Sequence, residues 1–244
     1  MAINQRKAGS ILSYVYIFLS NTVSLIYTPF FLSMLGQTEY GLIATANSIT
    51  SYLSLLSMGI GGSYVRFNAK AKVTGDKEKE YEVNGVFQTI YLAIAAITLV
   101  VGAILVLLSP YIFQAKYTEN DLFKIKCIMI CMVLQFAVTF IFNTTAMAIQ
   151  AYEKFIFIRV CLLVACVLQP CVNIAALYLG GDAITISILS LIISIITYSI
   201  YYTALSLPQA AAAAVIAIKH IAINIFLIVF FILFPPLYLS QIPL

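Results

Sequence analysis

The chain has 244 residues, of which 63% are hydrophobic and 9% charged, with a mean hydropathy of +1.04. Soluble domains carry about a quarter of their residues as charges, so a single water-soluble domain is excluded. The net charge of +4 comes from 13 basic against 9 acidic residues. The basic residues gather beside the ends of apolar runs rather than on one face, which points to membrane orientation and not to nucleic acid.

The first run, Ala8 to Leu35, is too long for the apolar core of a cleavable signal. It ends without a small-x-small site, so it is expected to be retained. Ser13, Ser20, Ser24 and Thr28 share one face of it, and Pro29 removes the backbone bond to the Leu25 carbonyl, which predicts a kink. The second run, Gly41 to Val65, is expected to be one helix with Asn47, Ser51, Ser54 and Gly61 along a face. It ends at Arg66. From there to Val83 the chain is polar and charged, and it predicts an amphipathic hairpin or a helix extension weakened by the like-charged pairs Asp76/Glu80 and Glu78/Glu82. A third run covers Asn84 to Phe113, and a fourth, Leu122 to Ile149, carries Gln135, Thr139 and Asn143, with Gln150 just beyond.

The fifth run, Phe155 to Leu179, carries Arg159, Cys166, Gln169 and Asn173, and its Pro170 frees the Cys166 carbonyl and predicts a second kink. Ser187, Ser190, Ser194, Thr197 and Tyr201 mark the sixth, Ala183 to Leu207. A seventh, Ala210 to Leu239, opens on consecutive alanines, carries no polar stripe and runs into Pro235 and Pro236. Each run reaches the ~20 residues that a helix needs to cross the hydrocarbon core. The reading is an all-α, polytopic integral membrane protein: a six-helix lobe over residues 1–207, then a seventh apolar segment and atypical tail over 208–244.

Counting charges in alternate gaps orients the lobe. With the N-terminus inside, the inner gaps hold Arg6, Lys7, Arg66, Lys70, Lys72, Lys77, Lys79 and Lys154, whereas the outer gaps hold Lys116, Lys124 and Lys126 offset by Glu119 and Asp121. The excess of Lys/Arg places the N-terminus in the cytoplasm. All five cysteines fall in runs four and five, where they read as small packing residues rather than a disulfide framework or a metal site. No cofactor and no enzymatic chemistry are expected.

The polar stripes have two readings. Small residues and amides let transmembrane helices approach and bond across the contact, each bond worth roughly 0.6 to 2 kcal/mol; alternatively, bulky amides repeated along a face line a water-filled vestibule. Arg66 and Arg159 are the long cationic side chains near these faces. Arg159 lies about 8 Å deeper than Lys154 at 1.5 Å per residue, so it either snorkels to the headgroups or offers a planar fork to a phosphate or pyrophosphate. None of the seven runs contains Asp or Glu, which favours an anionic substrate over a cation exchanged for a bound ion.

Pro29 to Ile60 (PFFLSMLGQTEYGLIATANSITSYLSLLSMGI), Val65 to Tyr81 (VRFNAKAKVTGDKEKEY) and Ala151 to Val160 (AYEKFIFIRV) together resemble the N-terminal half of oligosaccharide flippases. These form the polysaccharide-transporter (O-antigen flippase) branch of the multidrug/oligosaccharidyl-lipid/polysaccharide exporter superfamily. The LG-x-x-EYGL turn at Leu35 to Leu42 is the most specific piece. The resemblance implies two helical lobes around a central cavity in a bacterial cytoplasmic (inner) membrane. The lobes would move a polyprenyl-pyrophosphate-linked oligosaccharide by alternating access for surface polysaccharide biosynthesis, with glycan-assembly proteins or a second lobe as partners. Arg66 and Arg159 sit where relatives also carry basic residues, and with Asn47, Gln135, Asn143, Gln169 and Asn173 of the polar stripes they are the substrate-cavity candidates. Cys166 departs from the pattern, standing where many relatives carry a basic residue. A second lobe is missing from the sequence, so the chain reads as an N-terminal lobe that stops early. A drug/ion antiporter of the same superfamily and a non-transporting membrane fragment are the alternatives.

Overall fold

The computed structural model describes residues 5–73, 77–113, 117–152 and 155–206, and among these residues it holds helices and no strand. In chain order the elements are α1 (Gln5–Leu35), α2 (Gln37–Thr50), a 3₁₀ stretch (Ser51–Ser57), α3 (Ile60–Val73), α4 (Lys77–Phe113), α5 (Glu119–Ala151), α6 (Phe155–Tyr178) and α7 (Ala183–Ser206). Five of these helices, α1, α4, α5, α6 and α7, are each long and apolar enough to cross a membrane. The chain is an all-α, multi-pass membrane protein. The seventh apolar run lies outside the described residues.

Helix α5 is the centre of the lobe. Its buried residues Ile125, Met129, Val133, Ala137, Phe140, Thr144 and Ala148 recur at steps of three and four along its whole length, the spacing that keeps one face turned inward. Helices α4 and α7 pack most extensively against it, α2 and α3 run along it, and α1 lies at the edge against α6. Close approach of α4 to α5 depends on Gly102, where a Cβ would collide with both methyls of Val133.

One sequence expectation is corrected. Gly41 to Val65 is not one helix: α2 gives way to the 3₁₀ stretch, Met58 is extended and Gly59 sits at φ 87° before α3 begins. The cause is local. Ser51, Ser54 and Ser57 each donate to the carbonyl three residues back, at 3.1, 2.7 and 3.1 Å, and such side-chain bonds compete with the α-helical ladder. Gly59 then supplies a left-handed backbone that a Cβ would disfavour.

The charged stretch before Asn84 takes the form of the expected helix extension, helical from Lys77 onward. Glu78 and Glu80 therefore belong to the first turn of α4, and Glu80 is half-buried. The statement that no carboxylate lies within the spans holds for the apolar runs but not for the helices. At 37 residues, α4 extends about 55 Å, well beyond a 30 Å hydrocarbon core. Helices α1 and α6 continue through Pro29 and Pro170.

Candidate functional site

Two polar features organise the lobe, one inside it and one on its surface. The internal one is a chain of hydrogen bonds joining four helices. Asn173, 6% exposed, donates through Nδ2 to the Tyr27 hydroxyl of α1 at 3.0 Å. Gln169, one turn earlier on α6, donates to Asn173 Oδ1 at 3.2 Å and to Ser190 Oγ of α7 at 2.8 Å. Ser194 Oγ donates to the Ser190 carbonyl at 3.0 Å and accepts from Gln135 Nε2 of α5 at 2.9 Å. Thr139 closes the series by donating to the Gln135 carbonyl at 2.8 Å.

These contacts explain why the stripes carry amides. An amide has both a donor and an acceptor, so a single side chain can link two helices where lipid supplies no partner. Gln135, Gln169 and Asn173 are thus engaged across helix contacts, and Asn143 is half-buried on α5.

The surface feature is the row along α2 and the 3₁₀ stretch. Asn47, Ser48, Ser51 and Ser54 are all exposed. A 3₁₀ helix has three residues per turn, so the serines at 51 and 54 eclipse each other and continue the line begun by Ser48. On α1, Asn21, Ser24 and Thr28 are exposed as well. Hydroxyls bonded to their own backbone tolerate apolar surroundings, but the Asn47 amide and the interrupted backbone around Met58 and Gly59 do not. Non-helical backbone at membrane depth persists where it is covered by protein or faces water.

The two arginines occupy different helices. Arg66 is exposed on α3. Arg159 is half-buried on α6, within electrostatic range of the Tyr201 hydroxyl and beside the cluster of Phe157, Ile158, Cys161 and Tyr201. An apolar crevice of about 70 Å³ opens between α6 and α7, lined by Cys161, Ala165, Leu168, Ile193 and Ile196.

At the end of the bundle away from the N-terminus, three connections are tied together in a way the sequence did not suggest. Lys124 of α5 forms an ion pair with Glu39 of α2, whose second oxygen accepts from the Ala183 backbone N–H at 3.3 Å. Thr45 and Tyr117 share a hydrogen bond at 3.0 Å. Asp182 caps α7 by accepting from the Thr185 N–H at 3.1 Å and its hydroxyl at 3.0 Å. The Thr185 N–H holds the Asp182 carboxyl below its usual range, aided by the Thr185 hydroxyl and by Lys124. The one available sequence signal was Glu39 inside the LG-x-x-EYGL turn.

At the other end, Tyr64 donates to Asn84 Oδ1 at 2.5 Å, and Asn68 Nδ2 donates to the Tyr64 hydroxyl and to Asn84 Oδ1, both at 3.2 Å. This knot locks α3 to α4, and it too went unrecognised. Comparison with family models, with curated proteins and with solved structures finds no match to this chain.

Proposed function

We propose that this chain is a lobe of a flippase that moves a polyprenyl-pyrophosphate-linked oligosaccharide across a bacterial cytoplasmic membrane. The observation that carries the proposal is the exposed row of Asn47, Ser48, Ser51 and Ser54 on a broken helix. A polar, interrupted segment of this kind suits a water-filled cleft, where hydroxyls and an amide meet a sugar's hydroxyls. The resemblance of the LG-x-x-EYGL turn and the VRFNAK segment to oligosaccharide flippases supports the same reading. The excess of Lys/Arg in alternate gaps supports a cytoplasmic N-terminus.

The lobe has two jobs in this scheme. The hydrogen-bonded chain from Tyr27 to Gln135 makes it a stiff body, as rocking between two bundles requires. Arg66, exposed beyond the serine row, and Arg159 offer guanidinium forks to a pyrophosphate. The test is transport in proteoliposomes by a form that carries a second lobe. Arg66→Ala and Arg159→Ala should each slow flipping of a pyrophosphate-linked oligosaccharide, and Arg159→Lys should restore it only in part, because an ammonium lacks the planar fork. Unchanged transport by both alanine variants at equal expression would leave the arginines as headgroup anchors.

A further inference from the structure

Among the described residues, the seam between α3 and α4 contains two buried oxygens without a hydrogen-bond partner. Asn68 is 1% exposed, and its Oδ1 has no hydrogen-bond partner; the same holds for the shielded Oε1 of Glu80. Tyr64, Asn68 Nδ2 and Asn84 are bonded to one another. Tyr64 gives its proton to Asn84 Oδ1, and that oxygen also accepts from Asn68 Nδ2. The second Nδ2 proton goes to the Tyr64 hydroxyl. No donor of this trio remains for Asn68 Oδ1 or Glu80 Oε1.

Their placement follows from the helical hairpin. Counting from the ends of α3 and α4 that adjoin each other, Val73 and Lys77, Glu80 is the shallowest of the group. Asn68 comes next, and Asn84 and Tyr64 lie deepest. Both hydrogen bonds of the Asn68 side chain are made through its nitrogen, which leaves its carbonyl oxygen open. Glu80 lies one turn from Asn84 on α4 and acts electrostatically on the Tyr64 hydroxyl. From α5, Tyr152 reaches the same carboxylate, whose hydrogen bond pushes its phenol up to about 12.

A buried carboxylate oxygen and a buried amide oxygen are destabilising until a hydrogen-bond donor or a cation meets them, and a cation answers both at once. We propose that Glu80 and Asn68 bind a hard monovalent cation of the sodium type, with Tyr64 and Asn84 fixing the orientation of the Asn68 amide. Oxygen ligands exclude the soft metals that prefer thiolate or imidazole. A single carboxylate matches one positive charge, whereas the divalent calcium and magnesium sites draw on more carboxylates or phosphates. Water at this end of the bundle completes the shell. The proposal is independent of the transported substrate, because it concerns a cation on the α3–α4 seam and its test reads binding rather than flipping.

The experiment is equilibrium binding of ²²Na⁺ to the purified full chain in nanodiscs, with thermal unfolding in sodium chloride and in choline chloride at equal ionic strength. Wild type should bind sodium saturably, and its midpoint should rise by roughly 5 °C at a hundredfold excess over the dissociation constant. Glu80→Gln keeps the shape and supplies an N–H, so it should remain folded and lose both responses. Asn68→Ser should weaken binding at least tenfold. No saturable binding by wild type, or equal binding by Glu80→Gln, overturns the proposal. Stabilisation that follows acidification and ignores sodium also overturns it, by identifying a proton as the partner.

Discussion

The bond between Tyr27 and Asn173 is the tie that fixes the peripheral helix α1 to the body of the lobe, and it can be measured. Tyr27→Phe removes the hydroxyl alone and leaves the aromatic stack on Phe31, with centroids 4.9 Å apart. Asn173→Leu removes two bonds, the donation to Tyr27 and the acceptance from Gln169, while Gln169 keeps Ser190. Interhelical hydrogen bonds in membrane proteins average about 0.6 kcal/mol and reach about 1.7. Tyr27→Phe should therefore cost about 0.6 to 1.7 kcal/mol, and Asn173→Leu about 1 to 3 kcal/mol. A double-mutant cycle, read by reversible unfolding of the purified chain in mixed detergent micelles, should return a coupling of at least about 0.6 kcal/mol. Additivity within about 0.3 kcal/mol would mean that the two residues do not meet and that α1 is held otherwise.

Two further substitutions probe other joints. Gly102→Ala places a methyl against Val133 at the α4–α5 contact and should lower stability by about 1 to 3 kcal/mol, measured by thermal unfolding; Gly102→Ala with Val133→Ala should recover part of the loss. Asp182→Ala removes the cap of α7 and should cost about 1 kcal/mol. Because the Asp182 carboxyl is held below its ordinary value, its contribution is fully present above the unfolded pKa of about 3.9. That contribution is lost as the pH falls through the folded value. A pH titration of stability should show wild type and Asp182→Ala converging on acidification.

Much of this architecture was legible in the sequence because membrane helices announce themselves by length and hydropathy. The ends of α5, α6 and α7 fall within three residues of the apolar runs that predicted them. The face bearing Gln135, Gln169 and Asn173 was also legible, since helical spacing put those amides on one side and the structure bonds each of them to another helix or within its own face. The break after Thr50 was not, although Ser48, Ser51, Ser54 and Ser57 repeat every three residues. Averaged hydropathy hides that period, and each serine alone is compatible with an α-helix. The early start of α4 was legible only as one of two alternatives, a hairpin or a helix extension. The bonds of Asn84 to Tyr64 and Asn68 that join this helix to α3 are separated by 20 and 16 residues, so the local sequence does not choose between those alternatives. The Glu39–Lys124 pair spans 85 residues, and nothing local to either side chain specifies its partner.

The most direct test of the open serine row as the wall of a water-filled cleft is spin-label accessibility in lipid bilayers. Nitroxides placed singly at Asn47, Ser51 and Ser54 should collide readily with a water-soluble nickel chelate and poorly with oxygen. Labels at Ile104 and Leu107 of α4, exposed side chains at 49% and 72%, should show the reverse pattern of a lipid-facing surface. Oxygen-dominated accessibility at 47, 51 and 54, matching that at 104 and 107, would place the row against hydrocarbon and contradict the account.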